Sequence, residues 1–398
     1  MMPMRTLRTM LASAAFVGLA AAPAFALDGA DLVAKFNAAA AQNGTTISYD
    51  GADVDGDTVT LTNVVVKTVT DKDSDVKVGE VTLEGVEEYE DGSYYVDTVS
   101  LPDIDLSEAE GNLNVKDIVF GGLTIPANPA GGTIDDMLLY ESASTGPITV
   151  TSKGKQVFSV ESTEANLTRQ EGDAGFDFDA TLKAMKADLS DVEDAKAKDA
   201  IQKLGLTTVA GDMTMKGSWE IASGKIGLDE YALDFANIGK LNITFSVSGY
   251  TLEFIKAIQE AMKAQEANPN KEEANQALGL AMMGLMQQLT FNDASIRFDD
   301  ASITKRVLDY IAKEQGTTGD QFAQSLKGLV PIMMAQLNVP ELQNQVSAAA
   351  NAYLDSPKSL TISAKPEKPV PFPMIIGAAM GAPNTVPSVL GVKVTAND

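Results

Sequence analysis

The residue types that usually do chemistry are thinly supplied here. The chain has neither histidine nor cysteine, which removes zinc centres, haem ligation by histidine, iron–sulfur clusters and every Ser-His or Cys-His pair. Carboxylate acid-base work, Ser-Lys nucleophilic catalysis and binding remain. Ser74-Asp-Val-Lys77 and Ser302-Ile-Thr-Lys305 have the Ser-x-x-Lys spacing that sets a lysine one helical turn from a nucleophilic serine. Neither has the downstream Lys-Thr-Gly or Ser-x-Asn companions, so Ser302 or Thr304 is expected to cap a helix starting near Lys305. The Gly-Lys pairs at Lys155, Lys225 and Lys240 lack the spacing of a phosphate loop.

Acidic residues come in alternating sets. Asp53, Asp55 and Asp57, and again Asp71, Asp73 and Asp75, resemble the first half of a calcium loop. An EF-hand needs glycine at its sixth position and glutamate at its twelfth. From Asp71 those positions hold Val76 and Thr82, and the solvated face of a turn is the plainer reading. Asp177 with Asp179, and Asp103 with Asp105, share one face of a strand, the spacing from which paired carboxylates could hydrolyse a glycosidic bond. Trp219 is the only tryptophan, so no aromatic sugar platform accompanies them. Two alternatives stay open on these residues: a carboxylate-dependent hydrolase of envelope glycans, and a calcium-stabilised structural component.

Thioethers are the remaining signal. Met282, Met283, Met286, Met333 and Met334 fall in helical patterns, with Met374 and Met380 near the end. Flexible methionines fill irregular cores and also line apolar grooves; the five helical ones are the candidate lining of a groove for an apolar ligand.

The elements that must position such a groove are repetitive. Val59-Thr-Leu-Thr-Asn-Val-Val-Val66, Val81-Thr-Leu-Glu-Gly-Val-Glu-Glu88, Val99-Ser-Leu-Pro-Asp-Ile-Asp-Leu106 and Leu113-Asn-Val-Lys-Asp-Ile-Val-Phe120 share one template. Alternating apolar residues meet Asn63, Gly85, Asp103 or Asp117 at the fifth place and then resume, as in a half-buried strand with a bulge or bend. Short turn-rich stretches (Asp53 to Asp57, Asp71 to Asp75, Glu90 to Ser93, Glu108 to Gly111) make these strands an antiparallel meander. A helix over Asp31 to Gln42 precedes them. Beyond a loop at Asn128 to Gly132, strands are expected at Met137 to Tyr140, Ile148 to Thr151, Val157 to Ser162, Phe176 to Leu182, Asp212 to Ile221, Lys225 to Phe235 and Leu241 to Ser248. One helix, capped by Ser190 with Glu193 and stopped by Gly205, interrupts them.

After Tyr250 the apolar period becomes helical. Thr251 starts one helix and Asn270 with Glu273 caps a second. The template then returns as Phe291-Asn-Asp-Ala-Ser-Ile296 and Phe298-Asp-Asp-Ala-Ser-Ile303, which stitches this half back to the sheet. Helices follow at Lys305 to Gln315, Asp320 to Leu337 (bent by Pro331) and Pro340 to Leu354. A strand at Ser359 to Ala364, a proline-rich edge segment at Lys365 to Pro373, a helix at Met374 to Gly381 and a strand at Gly391 to Ala396 close the chain.

Residues 1–26 read as a cleavable export signal: Arg5 and Arg8, an apolar stretch from Met10 to Ala22, then Ala24-Phe25-Ala26. That stretch falls short of the ~20 residues that span a bilayer, and a chain without cysteine cannot be a lipoprotein. No transmembrane span is expected in the mature chain, which would begin at Leu27 and lie in a periplasm. The formal charge of −25 over 398 residues leaves no cationic face for nucleic acid. No cofactor and no enzymatic activity are expected.

The strand repeats at Val59, Val81, Val99, Leu113, Phe291 and Phe298 resemble those of AsmA-related and YdgA-related cell-envelope proteins. The course from Leu289 through Ser359-Leu-Thr-Ile-Ser-Ala-Lys-Pro to Gly391-Val-Lys-Val-Thr-Ala is also similar to uncharacterised exported proteins of alphaproteobacteria. The resemblance implies a groove-forming periplasmic sheet that handles lipid or aids outer-membrane assembly; no functional residue carries over. The reading is an α+β chain, with a strand-rich region (27–250) and a helix-rich region (251–398) sharing one long, curved, mainly antiparallel sheet. Its expected role is to bind lipid or another apolar ligand, or to maintain the envelope.

Overall fold

A computed structural model describes residues 27–68, 75–108, 111–129, 132–336 and 338–398. Residues 1–26, where an export signal is expected, and Asp71, Asp73, Ser74 and Leu337 lie outside the described residues. Among those described, nine α-helices accompany a single 20-stranded sheet that stays open.

Every strand pairs antiparallel, and most pairings join strands consecutive in sequence, the rest arising where a strand is broken in two or a short strand is skipped, so the sheet is a long meander. It starts with β1 (Thr45–Ser48) and β2 (Gly51–Asp55), which face one partner, β3 (Thr58–Thr68). β4 (Val76–Glu88) follows. Then come β5 (Tyr94–Leu101) with β6 (Ile104–Glu108), β7 (Gly111–Val115) with β8 (Ile118–Ile125), and β9 (Ser142–Thr145) with β10 (Ile148–Ser152). β11 (Lys155–Val160) and β12 (Ser162–Arg169) lead to the long β13 (Gly175–Asp188), β14 (Thr208–Glu220), β15 (Lys225–Phe235) and β16 (Gly239–Ser248). β17 (Thr290–Asp300) joins β16 to β18 (Ser359–Ala364) and the short β19 (Val370–Pro371), and β20 (Val392–Ala396) pairs with β18. Strands from both halves of the sequence thus share one sheet.

Several segments are one strand broken by a bend. β5 and β6 keep a single register against β8 and β7, as Leu101↔Ile118 is followed by Ile104↔Val115. The bends line up from strand to strand. Asn63 (φ 52) donates through its amide to Asp50 at 2.8 Å, and Gly79 (φ 99) lies across from Val64. Asp117 (φ 50) sends its backbone N–H to Asp103 Oδ1 at 3.3 Å. The Gly146 N–H reaches the Lys116 carbonyl at 2.9 Å and the Glu161 N–H the Lys183 carbonyl at 3.0 Å. Ala184 (φ 50) ends the crease by donating to Asp212 Oδ1 at 2.7 Å. A second crease runs through Gly85 (φ 65), Asp97 and Gly122 (φ 64). An extra residue at the same height in neighbouring strands bends the sheet while the side chains on either side return to the same face. This explains the template: apolar places 1 and 3 give way to 6 and 8.

α1 (Gly29–Ala40), capped by Asp28, lays Leu32 and Val33 on the sheet. α2 (Ala195–Lys203) starts at Asp194, whose carboxylate accepts from the Ala197 N–H at 2.7 Å. Ser190 is not its cap: the Ser190 N–H donates to Asp188 and its hydroxyl meets Lys155. α3 (Leu252–Ala267) and α4 (Lys271–Met286) begin at the expected caps, Thr251 and Asn270, and pack on each other. α5 (Ile303–Glu314), α6 (Gly319–Ala335) and α7 (Pro340–Asp355) form a second layer, with α7 against β20. α8 (Phe372–Gly381) and α9 (Val386–Val389) complete the chain.

Two expected strands are absent. Around Met137 to Tyr140 a single bridge joins Leu139 to Thr124 after a 3₁₀ turn at Ile134–Asp136. The second late template, Phe298 to Ile303, runs out of β17 into α5: Asp300 accepts the Thr304 N–H at 2.8 Å, so its Asp-Asp-Ala-Ser segment starts a helix. Asp53 and Asp55 sit inside β2, and the turn is only Gly56-Asp57.

Candidate apolar groove

In an antiparallel ladder, directly opposed residues share a face, so registers can be read across the sheet. One row runs Val54, Val59, Leu83, Val99, Phe120, Ala143, Ala165, Ala180, Met215, Tyr231, Ile243, Ile296, Ile362, Val394. It reaches from the first edge to the last with no charged residue. The row beside it, on the other face, runs Asp53, Thr60, Thr82, Ser100, Val119, Ser144, Glu164, Thr181, Thr214, Ala232, Asn242, Arg297, Thr361 and Thr395, polar but for Val119 and Ala232. Period-two patterning has made a two-faced sheet.

The apolar face is deepest in the first third. There Val59, Leu83, Val96 and Ile125 are buried, and a cavity of about 400 Å³ lies between the sheet and α1. Leu32, Val33 and Phe36 of α1 roof it, Leu61, Val81, Leu83 and Val99 floor it, and Leu138 and Tyr140 also line it. This volume is in the range of small-molecule sites. Tyr140 meets Phe120 edge-on, with ring centroids 5.8 Å apart.

Beyond Leu138 and Tyr140, a smaller cavity of about 200 Å³ is floored by Ala165 and Ala180 and flanked by Phe178 and Met215. The three alanines of the row keep the floor low at this point. An aromatic flight lies further along β13 and β14: Phe176 stacks on Trp219, Trp219 meets Tyr250 edge-on, and Tyr250 meets the tilted ring of Phe254 of α3. The Trp219 indole N–H donates to the Tyr250 carbonyl at 2.8 Å, so the start of α3 is tied to β14. Further along, Ile296 and Ile362 are 48% and 47% exposed.

A polar clasp fixes the α1 roof. Asp31 accepts from Lys35 at 2.6 Å and from the hydroxyl of the buried Tyr94 at 2.7 Å, and the Lys35 ammonium stands 5.0 Å from the Tyr94 ring centroid. Lys35, then Tyr94, hold the Asp31 carboxyl below the usual carboxylate range. Burial, then Asp31, pushes the Tyr94 phenol up.

The candidate methionines lie elsewhere. Met282, Met283 and Met286 are on α4 and Met333 and Met334 on α6, in two different helical layers, and none lines the cavity under α1. Met283 and Met333 are 63% and 65% exposed, in line with Leu280, Ile332, Met374 and Met380. The cavity's own residues are aliphatics with Phe36, Phe120 and Tyr140, from α1, the first strands and the segment before β9; only those on the strands carry a sequence signal, the template itself.

The carboxylate and Ser-Lys candidates are engaged locally. Asp177 accepts from the Gln170 amide at 2.7 Å and Asp179 from Asn166 at 3.0 Å. Ser302 donates to the Asn237 carbonyl at 2.6 Å, while Lys305 pairs with Asp309 at 3.1 Å, so serine and lysine do not meet. Among the described residues no group of three or more acidic side chains is placed to hold a metal ion, and no helix is long and apolar enough to cross a membrane.

A family model described as an uncharacterized protein matches residues 232–397, from β15 to β20. No curated protein matches the chain. Nothing in these comparisons ties the strand repeats to AsmA-related or YdgA-related proteins, or the chain to alphaproteobacteria.

Proposed function

We propose that this chain is a non-enzymatic binding protein of the cell envelope that holds lipid or another elongated apolar molecule against the apolar face of its sheet. The observation that carries the reading is the uncharged row from Val54 to Val394 together with the apolar cavity under α1. Burying apolar surface is worth about 25 cal/mol per Å², and a preformed cavity with an apolar lining gains this with little reorganisation. The signal-like residues 1–26 support a periplasmic location. The strand repeats, in their resemblance to AsmA-related and YdgA-related chains, support the same role in envelope maintenance.

Native mass spectrometry and organic extraction of protein purified gently from its own envelope test this. The expected result is an apolar molecule bound in a defined ratio and regained by the stripped protein. Protein that comes out clean and takes up no lipid removes the proposal.

A further inference from the structure

Resting on that reading, we infer that the groove takes a single-chain zwitterionic lipid, with its chain under α1 and its head group in the cleft between α1 and α3. That cleft, of about 310 Å³, is lined by both polar and apolar residues and shares Leu138 with the apolar cavity. The same α1 face serves both spaces: Leu32, Val33 and Phe36 cover the cavity, while Ala39 and the following Gln42 border the cleft. Leu32 to Gln42 is about 15 Å of helix, so an extended amphiphile would lie beneath it with its polar end outward.

The charges of the cleft select the head group. Lys256 and Lys263, two turns apart on α3, both line it, in a chain of net charge −25 where lysine is outnumbered. Lys263 donates to Gln42 at 2.8 Å and so bridges the cleft. Two carboxylates also border it: Asp136 is taken up by the Thr133 N–H at 2.8 Å, whereas Glu260 stands one turn from Lys256. Two ammonium groups for a phosphate and one carboxylate for an ammonium complement a zwitterion better than a simple anion. Charge-assisted hydrogen bonds supply that preference. The modest volume under α1 favours one chain over two.

The test measures binding of four probes of equal chain length: a lysophospholipid with a phosphoethanolamine head, its two-chain counterpart, the fatty acid and the fatty alcohol. The wild-type protein should bind the lysophospholipid at least ~10-fold tighter than the alcohol, since one tenfold step is ~1.4 kcal/mol. The surface variant Lys256→Ala/Lys263→Ala should lose that margin and keep its affinity for the alcohol. Equal binding of lysophospholipid and alcohol, tighter binding of the fatty acid, or equal uptake of a two-chain lipid overturns the inference while leaving the apolar groove intact. If no probe binds, the groove itself is refuted.

Discussion

Tyr94 and Asp31 join the two layers around the cavity, and their bond crosses from β5 to α1 within an otherwise apolar core. Replacing Tyr94 by Phe should lower stability by about 1–2 kcal/mol, measured by chemical denaturation, with α1 losing hydrogen-exchange protection ahead of the strands. The sign of the acid response follows from the carboxylates. Asp31 is held below its ordinary value of 3.8. Asp188 is held down to about 2 by Ser190 and Lys155, and Asp398 to about 2, by Thr395 first and then Arg297 and Ser359. A group with a depressed folded pKa contributes stability that is complete above its unfolded pKa and lost as pH falls through its folded one. The melting temperature should therefore fall between pH 3.8 and about 2, and Asp31→Asn with Asp398→Asn should flatten that slope. An unchanged slope in the double variant would show that these carboxylates do not set the acid response. At this scale the sequence was least legible. Asp31 reads only as a helix start, and the cavity is lined by Val, Leu and Ile with Phe36, Phe120 and Tyr140, residue types that carry no chemical signal of their own.

The strand template was legible because a bulge leaves a mark in one dimension: the apolar period slips by one place and a residue tolerant of positive φ occupies the slip. Asn63, Asp117 and Gly85 adopt that conformation, and Asp103 marks the break between β5 and β6. The same letters failed at Phe298, because Asp and Ser start helices as readily as they bend strands, and only the Thr304 contact with Asp300 decides between them. The expected cap at Ser190 gives way to Asp194 for a related reason: serine and aspartate both cap helices, and Ser190 is engaged with Asp188 and Lys155 instead. Two substitutions separate the creases from ordinary strand. Gly122 has φ 64, and a Cβ there would sit 2.6 Å from Glu141 side-chain atoms, so Gly122→Val should cost about 1–3 kcal/mol. Ala184 holds φ 50 with a side chain, so Ala184→Gly should be neutral or stabilising by up to ~1 kcal/mol, where glycine in regular strand costs ~0.5–1. Thermal melts of the pair would show opposite signs; equal losses would argue that the crease is not fixed by backbone conformation.

Over the whole molecule, an open meander has edges to protect and one apolar face to cover. At the first edge the Asn37 amide of α1 bonds both the Ile47 carbonyl, at 2.9 Å, and its N–H, at 2.6 Å. At the last, Gln345 of α7 accepts the Val394 N–H at 3.3 Å. Side-chain amides thus occupy backbone groups that would otherwise pair with another strand. The apolar face is covered by α1 in its first third and left half-open near Ile296 and Ile362, which is the arrangement an elongated apolar ligand needs. That fold class and its sheet were readable from periodicity, whereas the cavity was not, because its walls are drawn from residues as far apart as Leu32 and Tyr140 and each alone reads as plain core. The most direct test is titration of the delipidated protein with a solvatochromic apolar dye, comparing wild type with Val99→Phe, which fills the cavity from its floor. Saturable binding with a blue shift in the wild type, weakened at least ~10-fold in a Val99→Phe protein that still melts cooperatively, is the predicted result. Absence of saturable binding, or equal binding by both proteins, would contradict the groove.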